Sequence, residues 1–362
     1  MIVWLKKFSS NFLLVTVSIL ISLIISELLV RIILPQDKMV TWLEMHPQGF
    51  MMNQEGGEAT QEHNKTLINY SFTETRLRSS ESNSDYESKK VLALGDSFTF
   101  GLMLQEENTF IRLLNESLRN SNADSIQILN GGVGGAGLAD WPAWLQYNGS
   151  KIDPDIILYF MNIHDLERAL SKNIYVVKDD SLIKSQRWKP RAIMQSLGKQ
   201  GWYRWLQGKS ELFNLVVKVL WKNVYFKDLT KEFDQNKTSV LIPENNQLFI
   251  ESEYSLELGI KLFEKINSWC VKNGCELIIT TTGFFPHVKE SFHTNRLYQS
   301  LLDTSSVLSA DIKFIDPSSC VDSTINSNYE SIIIPGDTHP NKKGSSVIAD
   351  CTWKLLQNEL ID

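Results

Sequence analysis

Short apolar runs that stop abruptly at small or polar residues recur along the chain. Val91-Leu-Ala-Leu94 runs into Gly95-Asp96-Ser97, Ile126–Asn130 into a glycine-rich loop, and Asp155–Phe160 into Met161-Asn-Ile-His-Asp165. Glu276–Thr281 and Ile312–Ile315 repeat the pattern toward the C-terminus. Runs of this length without apolar–polar alternation read as strands buried on both faces, as in a parallel sheet. Between them the apolar spacing lengthens to that of a helix. Glu107 to about Asn120 sets Phe110, Leu113, Leu114 and Leu118 on one face, and a second helix is expected from the glycine loop to about Asn148. Tyr254–Val271, Arg296–Leu308 and Lys342–Leu360 read as further helices. Strands alternating with helices predict an α/β fold with one parallel sheet covered on both faces.

A different pattern precedes this alternation. Phe8–Leu34 is apolar apart from Ser, Thr, Glu27 and Arg31. At about 1.5 Å per residue such a helix is about 40 Å long, enough to cross a bilayer with some tilt. Glu27 and Arg31 stand four apart on one face near its end, where they can pair or reach the headgroups. Lys6, Lys7 and the terminal amine favour a cytoplasmic N-terminus, against a weaker opposing bias from Arg31 and Lys38. No small-x-small cleavage site follows the apolar core, so residues 1–35 are expected as an uncleaved anchor rather than a cleaved signal peptide. The rest of the chain would then be periplasmic or extracellular.

Residues 36–88 are polar, and Ser79–Ser88 is nearly free of apolar residues. They read as a stalk, some of whose segments return to the main domain. Residues 89–362 are expected to form that domain. Within it, 167–247 loses the strand–helix rhythm and carries Trp188, Trp202, Trp205 and Trp221, which suggests a helical insertion. Its aromatics suit an internal core, and also a lid or a groove for glycan or lipid.

Composition narrows the chemistry mainly by exclusion. With 362 residues, 43% hydrophobic and 22% charged, a sizeable core is available. A net charge of −6 and the lack of a dense Lys/Arg run argue against a nucleic-acid partner. Cys270, Cys275, Cys320 and Cys351 include no C-x-x-C pair, so no zinc site is expected. A Cys270–Cys275 or Cys320–Cys351 disulfide is compatible with a domain outside the cytoplasm.

Ligands of open α/β sheets collect at the carboxyl ends of strands, and four motifs sit there or just before a helix. Ser97 follows the first strand, where a Ser N-cap would be an equally good reading of Gly-Asp-Ser. Asn130-Gly-Gly-Val-Gly-Gly-Ala-Gly137 holds five glycines, which implies close backbone approach or positive φ. It does not meet the G-x-G-x-x-G spacing with a downstream ribose-binding acid. Asn162, His164 and Asp165 end the third strand. Gly336-Asp-Thr-His-Pro-Asn-Lys-Lys-Gly344 places Asp337 two residues before His339, a compact source of a base and its orienting carboxylate. A lone His there would otherwise be a surface or capping residue.

Taken together, the four motifs resemble the SGNH hydrolase family, also called GDSL, over roughly residues 90–358, with 167–247 unaccounted for. The resemblance implies a flavodoxin-like three-layer α/β/α sandwich. It also implies ester hydrolysis or O-acyl transfer through an acyl-enzyme, with no metal and no cofactor. Ser97 would be the nucleophile, His339 its general base, and Asp337 the group that holds the imidazole. The oxyanion would meet the backbone N–H groups of Ser97 and Gly135 and one side-chain donor.

Two departures from the family pattern bear on that site. The third motif usually ends in Asn-Asp and here reads His164-Asp165. A neutral imidazole N–H can donate as an amide does, and Asn162 shares its face if the strand continues, so both are candidate donors. The fourth motif usually has two residues between Asp and His; only Thr338 intervenes here, a form found in polysaccharide-modifying relatives. The expectation is a membrane-anchored serine esterase acting on acyl groups of a cell-envelope glycan. An O-acyltransferase on the same substrates, a lipid-directed esterase, and a glycan-binding scaffold with a decayed site are the alternatives.

Overall fold

A computed structural model of the chain describes residues 2–35, 42–63, 66–79, 89–123, 125–162, 164–185, 197, 200–217, 219–220, 253–283, 312–326 and 328–361. These fall into two compact units, one of residues 1–41 and 196–239, the other of residues 42–195 and 240–362. The first contains helix α1 (Ile2–Ile33). Its segment Phe12–Ile33 is long and apolar enough to cross a membrane, as anchors and signal sequences both are.

The second unit is built on a five-stranded sheet of β5 (Lys89–Gly95), β6 (Ile126–Asn130), β7 (Ile156–Met161), β10 (Glu276–Thr281) and β11 (Lys313–Ile315). All neighbours are parallel, in the order β11-β10-β7-β5-β6. Numbered by appearance within the sheet this is 2-1-3-4-5, the doubly wound order of flavodoxin-like folds. Every residue of β7 is buried, so its unbroken apolar run reports a central strand. Alternate residues feed two cores. Leu92, Leu94, Ile157, Tyr159 and Ile279 pack with Trp141 and Trp144 of α4 (Asp140–Trp144) and with Leu262 and Ile266 of α8 (Glu253–Asn273). Val91, Ala93, Leu158, Phe160 and Ile278 face the other way. They pack with α3 (Phe110–Asn120), α9 (Ser318–Ile325) and α10 (Lys342–Ile361). The Cys320–Cys351 disulfide joins α9 to α10, while Cys270 and Cys275 are not bridged.

Three expectations change. The expected stalk is largely part of the α/β unit, which begins at Trp42. Two hairpins, β1 (Leu43–Met45) with β2 (Met51–Asn53) and β3 (Glu58–His63) with β4 (Thr66–Ser71), occupy it. Their polar composition hides a period of two: Ile68, Tyr70 and Phe72 are buried, while the residues between them are not. Arg78, also buried, donates to the carbonyls of Phe100, Gly101 and Leu104 and lies over the Tyr70 and Phe100 rings. The segment from 167 onward is not wholly helical. After α6 (Asp165–Lys172) comes the hairpin of β8 (Tyr175–Lys178) and β9 (Ser181–Lys184). Its turn residues Asp179 and Asp180 have φ of 50° and 59°, as a tight two-residue hairpin turn requires. The helix expected to about Asn148 continues through a π-helical turn, Leu145–Gly149, into α5 (Ser150–Ile152). The helix expected over Arg296–Leu308, with Trp188 and Trp221, lies outside the described residues.

Candidate active site

The first strand of the sheet, β5, has β6 on one side and β7 on the other. Its carboxyl end is therefore the point where the winding reverses and a crevice opens. Ser97 starts α2 (Ser97–Phe100) there. Asp96 caps the turn, its Oδ1 accepting the Phe98 N–H at 2.9 Å, and Gly101 closes it with φ of 78°. The cap is thus Asp96, and the Ser97 hydroxyl serves another purpose.

That purpose is legible in its neighbours. His339 Nε2 lies 2.8 Å from Ser97 Oγ, and His339 Nδ1 lies 2.5 Å from Asp337 Oδ1. With a carboxylate at Nδ1, the proton belongs on Nδ1 and the Nε2 lone pair faces the hydroxyl. The loop bearing both residues is tied at each end. Ile334 N–H donates to His339 O, and Asp337 N–H to Ile334 O. Asn341 accepts the Gly344 N–H at the start of α10 while donating to the Ser331 and Ile333 carbonyls. Phe98 packs against the imidazole, ring centroids 5.1 Å apart. Hydrogen bonding from His339 outweighs burial and holds the Asp337 carboxyl at about 2, so it is ionised at neutral pH.

The two candidate side-chain donors are held differently. The register pairing Gly95 with Phe160 brings Ser97 and Asn162, each two residues further on, off the same end of adjacent strands. Asn162 is buried, and its Oδ1 accepts the His164 N–H at 3.0 Å, which sets the amide's orientation. His164 stands at the start of α6, its Nδ1 3.0 Å from Glu167 Oε2. That hydrogen bond keeps the Glu167 carboxyl below its usual range despite burial. Asp165 is buried and accepts from Tyr159 O–H and Asn162 N–H. Burial, and after it the Asp96 carboxylate, raise its pKa.

The glycine loop continues β6 alongside the end of β5. Gly131 N–H donates to Ala93 O and Val133 N–H to Gly95 O. Gly132 passes so close to α2 that an added Cβ would lie 2.2 Å from the Phe100 nitrogen, and Gly135 has φ of 72°. Both conditions anticipated for this glycine run, close approach and positive φ, are met within it.

Two cations that sequence reading did not single out brace the loop. Arg168 Nη1 donates to Asp96 Oδ2 at 2.8 Å and to Ala136 O at 2.9 Å. One turn on, Lys172 Nζ donates to Gly135 O and to Asp140 Oδ2, both at 2.7 Å. Asp140, fully buried, also accepts the Gly137 and Met51 N–H groups. One helix therefore holds the Ser97 turn and the glycine loop in a common frame. Only the i, i+4 spacing hinted at this, and such a pair more often faces solvent. Arg168→Met would leave the Asp96 carboxylate buried without its cation. It is expected to cost on the order of 3 kcal/mol of stability. Arg168→Lys should recover part of it, as read by thermal denaturation.

No family model matches the chain, and no curated protein matches it. Solved structures similar to it include an esterase from Pseudoalteromonas sp. inhibited by monoethylphosphonate. It is 11% identical, with 76% of this chain and all of that chain covered and a TM-score of 0.44. An alpha/beta hydrolase enzyme from the metagenome of Lake Arreo, Spain, is 14% identical, covering 74% and 94% of the two chains, TM-score 0.42. An acetylxylan esterase from Geobacillus stearothermophilus is 11% identical over 74% and 94%, TM-score 0.40. The fold assignment rests on this chain's own strand order and register.

Proposed function

We propose that the chain is a serine ester hydrolase that works through an acyl-enzyme. The observation that carries this reading is the unbroken hydrogen-bond sequence Asp337–His339–Ser97, with Nε2 2.8 Å from the hydroxyl it would deprotonate. Ser97 Oγ attacks the acyl carbon as its proton passes to Nε2, and the carbonyl electrons move onto oxygen. When they return, the C–O bond to the alcohol breaks and the alcohol takes the proton from His339. A water, deprotonated by the same nitrogen, then releases the acid and frees Ser97. Asp337, ionised beside Nδ1, stabilises the imidazolium in both halves.

The oxyanion is assigned to the N–H groups of Ser97 and Gly135 and to the Asn162 amide. Asn162 is preferred to His164 because it is buried at the strand end beside β5, whereas the His164 ring is engaged by Glu167. Asn162→Ala is expected to lower kcat by about 10²–10³-fold. His164→Ala should change it by less than about tenfold, and comparing the two in p-nitrophenyl acetate hydrolysis checks the assignment.

The substrate we propose is an ester-linked acyl group on a cell-envelope glycan, met on the far side of the membrane by a chain anchored through α1. The resemblance to polysaccharide-modifying SGNH relatives in Asp337-Thr-His339 supports this, and the Cys320–Cys351 disulfide suits an oxidising compartment. Transfer of the acyl group to a sugar hydroxyl uses the same acyl-enzyme with a different second nucleophile. The full-length chain in detergent micelles should hydrolyse p-nitrophenyl acetate, and faster than the palmitate ester. No turnover of either ester would overturn the hydrolase reading, and preference for palmitate would favour a lipid-directed enzyme.

A further inference from the structure

Helix α7 (Gly201–Lys209) and the helical residues 211–217 share a compact unit with α1. Two charges that a membrane-crossing helix ordinarily excludes make the connection. The Glu27 carboxylate accepts from Ser210 Oγ at 2.7 Å and from the Glu211 and Leu212 N–H groups at 3.0 Å each. A side chain of α1 thereby satisfies the donors that open the second helix. Arg31, paired with Glu27 at 2.7 Å, donates to the carbonyl of Lys209, the last residue of α7. One turn of α1 fastens the end of one helix and the start of the next.

Large apolar side chains are exposed on this pair beside Lys209. Trp202 and Trp205 are 54% and 63% exposed, and Val216, Val219 and Leu220 are exposed with them. Single exposed apolar residues are ordinary, but five large ones within twenty residues are not. The same unit carries the apolar surface of Phe12–Ile33, exposed in the same way. Glu27 and Arg31 lie in its last two turns, Glu27 about 9 Å along the axis from Ile33. That is close to headgroup depth, where Trp side chains concentrate.

We infer that residues 201–217 and 219–220 form an interfacial membrane element. The two helices lie along the bilayer surface with Trp202, Trp205, Val216, Val219 and Leu220 in the acyl boundary, locked to α1 by Glu27 and Arg31. Bilayer lipid is the occupant because the hydrogen bonds to Glu27 and Arg31 seat these helices on the last turns of the apolar α1 span. The inference rests on α1 being a retained anchor, and its test separates the two.

Single cysteines introduced as Leu20→Cys or Trp205→Cys, with Cys275→Ser so that the buried Cys270 is the remaining free thiol, take an environment-sensitive fluorophore. The full chain is reconstituted in equal parts phosphatidylcholine and phosphatidylglycerol, with or without doxyl-labelled lipid. Quenching by the doxyl lipid is expected at both positions, and adding Glu27→Ala should reduce it at 205 while leaving it at 20. Quenching at 20 but not at 205 overturns the interfacial element and leaves the anchor standing. No quenching at 20 overturns the anchor and the inference with it. Unchanged quenching at 205 in the Glu27→Ala protein overturns the clamp.

Discussion

Ser97→Ala is expected to lower kcat for p-nitrophenyl acetate by about 10⁴–10⁶-fold, with KM and the thermal midpoint little changed. The size follows from what is lost: the group that would form the covalent bond, a hydroxyl 2.8 Å from His339 Nε2. The near-constant stability follows from its surroundings. The cap of α2 is the Asp96 carboxylate, and the glycine loop binds through backbone groups, so removing Oγ leaves the turn's own hydrogen bonds in place. A drop in activity accompanied by a large fall in the midpoint would point to misfolding instead.

His339→Ala should be nearly as damaging, and the Ser97→Ala/His339→Ala double variant no worse than either single change, because the two residues act as one unit. Asp337→Asn is expected to cost about 10⁴-fold in kcat. Its amide would present N–H to Nδ1, push the imidazole proton onto Nε2, and leave no lone pair facing Ser97. The backbone N–H of His339 donates to the same Oδ1, so it loses that acceptor when the amide nitrogen turns toward Nδ1. The Ile334–His339 and Asp337–Ile334 backbone hydrogen bonds remain, so the midpoint should fall modestly while the tautomer inverts. Steady-state kinetics on the three single variants and the double variant, with thermal midpoints, test this as a set.

The sheet was legible because its strands are buried on both faces. Ile126–Asn130 and Glu276–Thr281 were bounded to the residue by apolar runs ending in glycine or polar positions. The hairpins of residues 42–71 were not, because strands with one polar face dilute the apolar signal to every second residue. The hairpin after α6 was hidden by its charged turn, which resembles a solvated loop until the left-handed backbone of Asp179 and Asp180 is seen. In the site, Ser97, Asp337 and His339 stood out through the resemblance of their motifs to the SGNH pattern; local spacing alone left Ser97 equally a helix cap. Arg168 and Lys172 did not. Their partners are one carboxylate 72 residues away, another 32 residues away and two carbonyls more than 30 residues away, and no local pattern records such contacts. The proposed preference for Asn162 over His164 likewise draws on the register of β5 against β7, which sequence does not show.

The measurement that bears most directly on the central claim is labelling of the purified full-length chain with a fluorophosphonate, followed by peptide mass spectrometry. A serine activated by a neighbouring imidazole should carry the adduct at Ser97, and labelling should disappear in His339→Ala. An unlabelled chain, an adduct on another serine, or labelling of Ser97 that persists without His339 would contradict the account.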